Sequence, residues 1–363
     1  MTDRIYLDHN ACSPMTPAVV GALRAALDAP PCNAGSVHAE GQGARARLER
    51  ARRAVKQALG VRGGRVVFTS GATEANNLVL RGWQGDGALL TSMLEHPSVR
   101  VVAEELDRAV RWLAHDAGGL LELDALDAAL AAGDLAGVSV MAANNELGTR
   151  NPIAAIAARC AAAGVPLHVD AAQVVGRLPF DVPDGVTAVT MSAHKCGGPI
   201  GVGALWMRDG FDVDALIRGG HQERGRRAGT EDVLGAIGMA AAFTHADHDA
   251  WAALAPVRDA LECALVETLG CVVNGAGPRL PNTTNLSFVG RDAEEVIQAL
   301  DLAGIAVSAG SACTAGSIDV SPVIAALGLD DARTRSAVRI SLGPEHVALD
   351  VAPLVDRISN ALR

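Results

Sequence analysis

The sequence predicts an α/β protein, with a large domain on a mostly parallel, doubly wound sheet and a smaller C-terminal α+β domain. Three observations predict it. Short apolar runs alternate with amphipathic helical segments through the first two-thirds of the chain, the pattern of a parallel sheet covered on both faces. From about Trp251 the texture changes to a long helix followed by well-separated strands. The 363 residues are 49% hydrophobic and 20% charged, which is core material for roughly two domains and excludes a disordered or collagen-like chain.

The elements follow in order. Arg45 to Leu59 has helical apolar spacing and ends at Gly60. Strands are predicted at Arg65–Thr69, Ala88–Thr91, Val138–Met141, Pro166–Val169, Ala188–Met191 and Val202–Trp206, with helices at Asp124–Ala132 and Ile153–Ala163 between them. In the C-terminal part a helix over Ala252–Leu269 precedes strands at Asn285–Phe288, Ile305–Ser308 and Val338–Ser341 and a terminal helix. Repeats and low-complexity linkers are missing, and the alanine richness favours helix.

Acidic residues outnumber basic ones by 41 to 31, for a formal charge of −10, which argues against nucleic acid or an anionic membrane as the main partner. The N-terminus has no apolar run after a basic start, and no stretch reaches the ~18 apolar residues of a membrane span. Seven cysteines, at 12, 32, 160, 196, 263, 271 and 313, form no Cys-x-x-Cys pair. An odd, scattered set fits a reducing cytoplasm better than a disulfide framework, offers no metal site, and reads mostly as small buried hydrophobes. The basic residues carry a sharper signal. Only Lys56 and Lys195 are lysines, so chemistry that needs a primary amine on a side chain must use one of them.

Ligands of open α/β sheets bind beyond the carboxyl ends of strands, and three of those ends carry chemistry. Ser70-Gly71-Ala72-Thr73 follows one strand and opens a helix, with backbone N–H groups and a hydroxyl suited to a phosphate, although such a turn is also an ordinary connection. Asp170 ends another strand, either as a helix N-cap or as a partner for a pyridinium or a metal. Lys195 follows a third, in Ser192-Ala193-His194-Lys195-Cys196-Gly197-Gly198. A desolvated lysine has a depressed pKa and acts as a Schiff-base nucleophile. A phosphate cradle, an Asp for a ring nitrogen and a Lys for an imine together are what pyridoxal phosphate requires.

Along nearly its whole length the chain resembles the cysteine desulfurases, the NifS/IscS-like branch of the class-V, fold-type I pyridoxal phosphate enzymes. The matching stretches include Phe68-Thr69-Ser70-Gly71-Ala72-Thr73-Glu74, Glu95-His96, Asn144-Asn145-Glu146-Leu147-Gly148 and His168-Val169-Asp170-Ala171-Ala172-Gln173. They continue through Ser192-Ala193-His194-Lys195, Glu223-Arg224-Gly225-Arg226-Arg227-Ala228-Gly229-Thr230, Gly310-Ser311-Ala312-Cys313-Thr314 and Val338-Arg339-Ile340-Ser341. The resemblance implies an aspartate aminotransferase-like fold. We place the large cofactor domain at 14–250, and the small domain, with the catalytic-cysteine loop, at 1–13 plus 251–363.

It also implies roles. Lys195 would hold the cofactor and move the substrate α-proton, and Asp170 would keep the pyridine nitrogen protonated. Gln173 would bond the ring phenolate oxygen, with Asn145 near it and the substrate. Ala72, Thr73, Ser192 and His194 would hold the phosphate, joined by Thr230 from a second subunit. His96 would stack on the ring and relay protons, although a His before Pro97 is otherwise an ordinary loop residue. Arg339 would take the substrate carboxylate bidentately; without the family it reads as a structural ion pair. Cys313 lies in a run of small residues that predicts a mobile, exposed thiol, which would accept sulfur from L-cysteine as a persulfide while L-alanine leaves. A homodimer and a protein sulfur acceptor, such as an iron–sulfur scaffold or a thiolation carrier, complete the expectation.

Some positions depart from the family pattern. Cys12 replaces a common Thr, Cys196 directly follows the cofactor lysine and is either a pocket-side residue or a second redox-sensitive thiol, and Ile200 replaces a frequent Lys. A selenocysteine lyase, another class-V enzyme without persulfide chemistry, and a catalytically silent sulfur carrier are the alternatives.

Overall fold

In the computed structural model, which describes residues 4–30, 32–309 and 320–363, the apolar runs assemble as expected. Twelve strands are present among the described residues: β1 (Ile5–Tyr6), β2 (Arg65–Thr69), β3 (Ala88–Thr91), β4 (Val110–Trp112), β5 (Leu135–Met141) and β6 (Leu167–Asp170) come first. β7 (Val186–Ser192), β8 (Gly203–Met207), β9 (Val272–Asn274), β10 (Thr283–Ser287), β11 (Ile305–Ala306) and β12 (Ala337–Ser341) follow. The large sheet has the order β2-β8-β7-β6-β5-β3-β4. β8 runs antiparallel to both neighbours, and the other pairings are parallel.

β3, β6 and β8 are buried at every position, which is why β3 and β8 read as continuous rather than alternating apolar runs; β6 is buried as well although it carries His168 and Asp170. The imidazole of His168 is buried inside the sheet, held between Ser139 Oγ (2.9 Å) and Thr190 Oγ1 (3.0 Å) of the flanking strands. Burial pulls its pKa down to about 4, so it is neutral. Pairing of Met141 with Asp170 and of Asp170 with Thr190 brings β5 and β6 to an end together, with β7 running two residues further to Ser192. Whatever follows those ends therefore shares one edge of the sheet.

Helices pack on both faces. Ile153–Ala163 forms where expected and ends at Gly164, whose φ of 68° is the left-handed conformation that a glycine accepts at a helix end. The helix expected at Arg45 begins earlier, at Ala39, where the His38 ring accepts the Gly41 N–H as a cap. The single helix expected over Ala252–Leu269 is two, His248–Ala252 and Leu254–Leu269.

β12-β10-β9 form a separate antiparallel sheet. β1 pairs with β11, Ile5 opposite Ile305 and Tyr6 opposite Ala306. The N-terminal arm thus starts among C-terminal strands and then returns to the large sheet, where the Ser13 N–H donates to the His194 carbonyl (2.8 Å). None of the described helices is long and apolar enough to cross a membrane.

Candidate active site

A cleft of about 440 Å³ opens beyond the ends of β5, β6 and β7. Ala72, Thr73, His96 and Asn145 line it on one side of the sequence-predicted set, and Asp170, Gln173, His194, Lys195 and Arg339 complete it. Ser192 lies buried beneath and acts through His194. Thr230 is exposed and does not line this cleft. Cys313 lies outside the described residues, but Ser308, shortly before it in the chain, lines the cleft.

At one end the helix Ala72–Gly82 begins at Gly71 without any side-chain cap, so its first N–H groups face the cleft unsatisfied. Gly203 of β8 makes this possible: a Cβ there would sit 2.5 Å from the Gly71 carbonyl carbon. Beside it the Ser192 hydroxyl meets His194 Nδ1 at 2.9 Å. Burial, with Lys195 and Arg177 nearby, pulls the His194 pKa down to about 4. A neutral ring that accepts the Ser192 hydroxyl at Nδ1 presents Nε2–H as a donor. The result is an anion cradle of N–H groups and a hydroxyl, the fit that a phosphate demands.

At the opposite end sits Asp170, 7% exposed. Its Oδ1 accepts the Ala172 N–H (3.0 Å) and its Oδ2 accepts Asn76 Nδ2 (2.7 Å). Asn76 also donates to Ser98 Oγ (2.9 Å), and Ser98 meets His96 Nδ1 through both its N–H (3.1 Å) and its hydroxyl (2.8 Å). His96 thereby caps the helix Pro97–Glu104. Accepting at Nδ1 and being buried both disfavour a second proton, and its pKa is lowered, burial being the main cause. Behind them Glu95 is completely buried with one donor, the Met141 N–H at 2.8 Å. Desolvation raises its pKa well above the carboxylate range, so it is a neutral acid while Asp170 keeps its two donors. An Asp side chain held by two donors at the end of β6 fits a protonated pyridine nitrogen.

Between these ends Lys195 Nζ donates to the Asn10 and Ala11 carbonyls (2.8 and 2.9 Å). Burial first, then Arg177 and Arg339, pull its pKa down to about 8. Arg177 is 1% exposed and fans out from behind: Nε to the Lys195 carbonyl (2.7 Å), Nη1 to Asn10 Oδ1 (2.8 Å) and Gln173 Oε1 (2.7 Å), Nη2 to the His9 carbonyl (2.6 Å). Arg339, central in β12, donates to the Asn145 carbonyl (3.1 Å) and pairs with Asp8 Oδ1 at 2.6 Å. Asn145 Oδ1 is buried with no partner among the described residues, a polar atom facing a cleft that awaits a donor.

Asn10, Asn76 and Arg177 are the site residues that sequence reasoning missed. Asn76 alone had a signal, a polar residue in the first turns of the helix that opens after Gly71, two residues beyond the matched stretch. Cys196 is buried, its Sγ donating to the Ala193 carbonyl (3.3 Å), and burial pushes its pKa up to about 12. Burial and the raised pKa both favour the pocket-side reading of Cys196 over that of a second redox-sensitive thiol. Ile200 is 78% exposed at the cleft mouth.

The Aminotransferase class-V family matches residues 5–354. An IscS-like cysteine desulfurase of Mycobacterium tuberculosis is 40% identical over 98% of this chain and 96% of its own. The structure of a NifS-like protein superposes with a TM-score of 0.89 at 30% identity, covering 99% of both chains. That of SspA in complex with cysteine does so with a TM-score of 0.82 at 31% identity, over 94% of this chain and 99% of that one.

Proposed function

The chain belongs to the Aminotransferase class-V family, in its cysteine desulfurase branch, and from that premise we propose how its own residues run the reaction. The activity is the pyridoxal phosphate-dependent desulfuration of L-cysteine, with the sulfur passed to an acceptor. The observation that carries the residue assignment is the convergence, in one cleft, of an uncapped helix N-terminus, a buried Asp170 held by two donors and the one desolvated lysine.

The N–H groups of Ala72 and Thr73, the Thr73 hydroxyl and the Ser192–His194 pair hold the phosphate. Asp170 would hold the ring nitrogen and Gln173 and Asn145 the ring oxygen, with His96 beside the cofactor. When bound, the cofactor supplies an electron sink that makes the substrate α-proton removable. Lys195 carries the cofactor, and its Nζ takes and returns that proton, a task matched by a pKa near 8. Arg339 binds the substrate carboxylate, which must displace or share the present partners of its two terminal nitrogens, the Asn145 carbonyl and Asp8. The Cys313 thiolate attacks the substrate sulfur. The S–S bond forms as the C–S bond breaks, and its electron pair stays with the carbon fragment, which is protonated and leaves as L-alanine.

Thr230 is exposed outside its own cleft, on a loop pinned beside the cradle by Arg227 to Glu74 (2.9 Å) and Arg52 to Glu223. This supports a homodimer in which Thr230 completes the partner's phosphate site. The pairing of β1 with β11 supports the domain division at 14–250 against 1–13 plus 251–363. A cytoplasmic location and a protein sulfur acceptor, an iron–sulfur scaffold or a thiolation carrier, complete the reading.

Two variants test it, by sulfide and alanine release and by the cofactor's visible absorbance. Cys313→Ala should keep the absorbance and lose sulfide release; Lys195→Ala should lose both. Intact sulfide release in Cys313→Ala would refute the persulfide route.

A further inference from the structure

We propose that Arg177 is a positioning residue of the reaction, orienting the Gln173 amide and the Asn10–Ala11 arm around Lys195 and setting a fixed positive charge behind the amine. The proposal rests on the reading of Lys195 as the cofactor lysine.

A fully buried cation is costly unless it is paired. The four hydrogen bonds of Arg177, at 2.6–2.8 Å, all go to neutral oxygens. Its face lies 4.7 Å from the Trp251 ring, and no carboxylate among the described residues pairs with it. Burial lowers its pKa to about 9, still above neutrality, so the charge persists. A guanidinium held this way gives up the stabilisation a carboxylate would supply, and its field acts on whatever else is ionisable nearby.

Lys195 is that group. The charges facing it are Arg177 and Arg339, which disfavour its proton, and Asp8 and Cys12, which favour it. His96 and His194 face it as neutral rings. Of the two cations Arg339 is already paired with Asp8, which leaves Arg177 as the uncompensated one. Its second effect is directional. Because Nη1 donates to Gln173 Oε1, the Gln173 amide must turn its NH₂ toward the Asn10 carbonyl (3.1 Å) and the cleft, where it offers a donor to an anionic ring oxygen.

The two-lysine composition makes the test direct. With Lys56→Arg as background, Lys195 is the only lysine of the full chain, and ¹³Cε-lysine labelling reports its titration alone. Arg177→Gln should raise that midpoint by about one pH unit and weaken pyridoxal phosphate binding about tenfold. Arg177→Lys, which keeps the charge but not the fan, should leave the midpoint nearly in place and still weaken binding. A midpoint unmoved in a folded Arg177→Gln protein overturns the electrostatic half of the proposal. Should that variant fail to fold, cofactor binding unchanged in Arg177→Lys overturns the positioning half. A merely structural Arg177 would lower the thermal midpoint and move neither readout. Lys195→Ala separates the premise: a cofactor imine band persisting there would sink the assignment of Lys195 and leave the Arg177 geometry untouched.

Discussion

Arg52→Ala should destabilise the protein strongly, and more so at high pH. Arg52 holds Glu223 through two nitrogens at 2.6 and 2.7 Å, and its guanidinium lies 5.0 Å from the Phe68 ring. The two side chains are 13% and 3% exposed. Removing one partner of a buried pair strands the other and costs about 3–5 kcal/mol. For 363 residues, an unfolding entropy of ~2.1 cal/mol/K per residue gives about 0.8 kcal/mol/K, so the melting midpoint should fall by about 4–7 °C. Burial already raises the Glu223 pKa, and Arg52 opposes that rise. Without Arg52 the folded-state pKa climbs further above its value in the unfolded chain. The folded protein then binds the proton more tightly, so stability is lost as pH rises from the unfolded pKa through the folded one. The deficit should be small at pH 5 and full at pH 8. Glu223 and Arg224 also sit at φ of 47° and 56°, left-handed values costly for non-glycine residues. Freed of Arg52 the loop should relax, and cofactor affinity should fall with stability. Melting curves at the two pH values check this, alongside Arg52→Ala/Glu223→Gln, which removes the stranded charge and should recover most of the loss. A single variant within 1 °C of the parent at pH 8, or a double variant no better than the single, would refute the reasoning.

Two further outcomes follow from the cleft. Lys56→Arg should leave turnover near normal and Lys195→Arg should abolish both turnover and cofactor absorbance, because a guanidinium forms no imine at ordinary pH; equal behaviour of the pair would exclude Lys195 as the cofactor lysine. Glu95→Gln replaces a neutral acid by a neutral amide and should change kcat/KM less than threefold across the pH profile, whereas Asp170→Asn should cost orders of magnitude. If Glu95→Gln matched Asp170→Asn, the division of charge between the two carboxyls would be wrong.

What the sequence revealed depended on where each element's partners sit. β2, β3, β5, β6, β7 and β8 were legible because each carries a short, mostly apolar or β-branched run, as buried strands do. β4 was not: it is three residues long, lies at the sheet edge and contains an arginine. Asp170 and Lys195 stood out because a strand end is where ligands bind, but the network behind them left no local pattern. Asn76 meets Asp170 across 94 positions of sequence, and Arg177 meets His9 across 168. Spacing rules reach a few residues, and only the fold brings such pairs together.

The arm from Asp8 to Ala11 is where this matters most for function. Its first carboxylate holds Arg339, its second carbonyl receives Arg177, and its third and fourth carbonyls receive the Lys195 amine. One short turn, closed by the Ala11 N–H on the Asp8 carbonyl (3.0 Å), therefore contacts the residue assigned to the substrate carboxylate and the residue assigned to the cofactor. A substrate carboxylate that engages Arg339 must compete with Asp8 for it, so the arm's position bears on both residues at once. The strand pairing of Ile5 with Ile305 and Tyr6 with Ala306 anchors the arm just before Asp8, and that is why residues so far apart in sequence meet at one edge of the cleft.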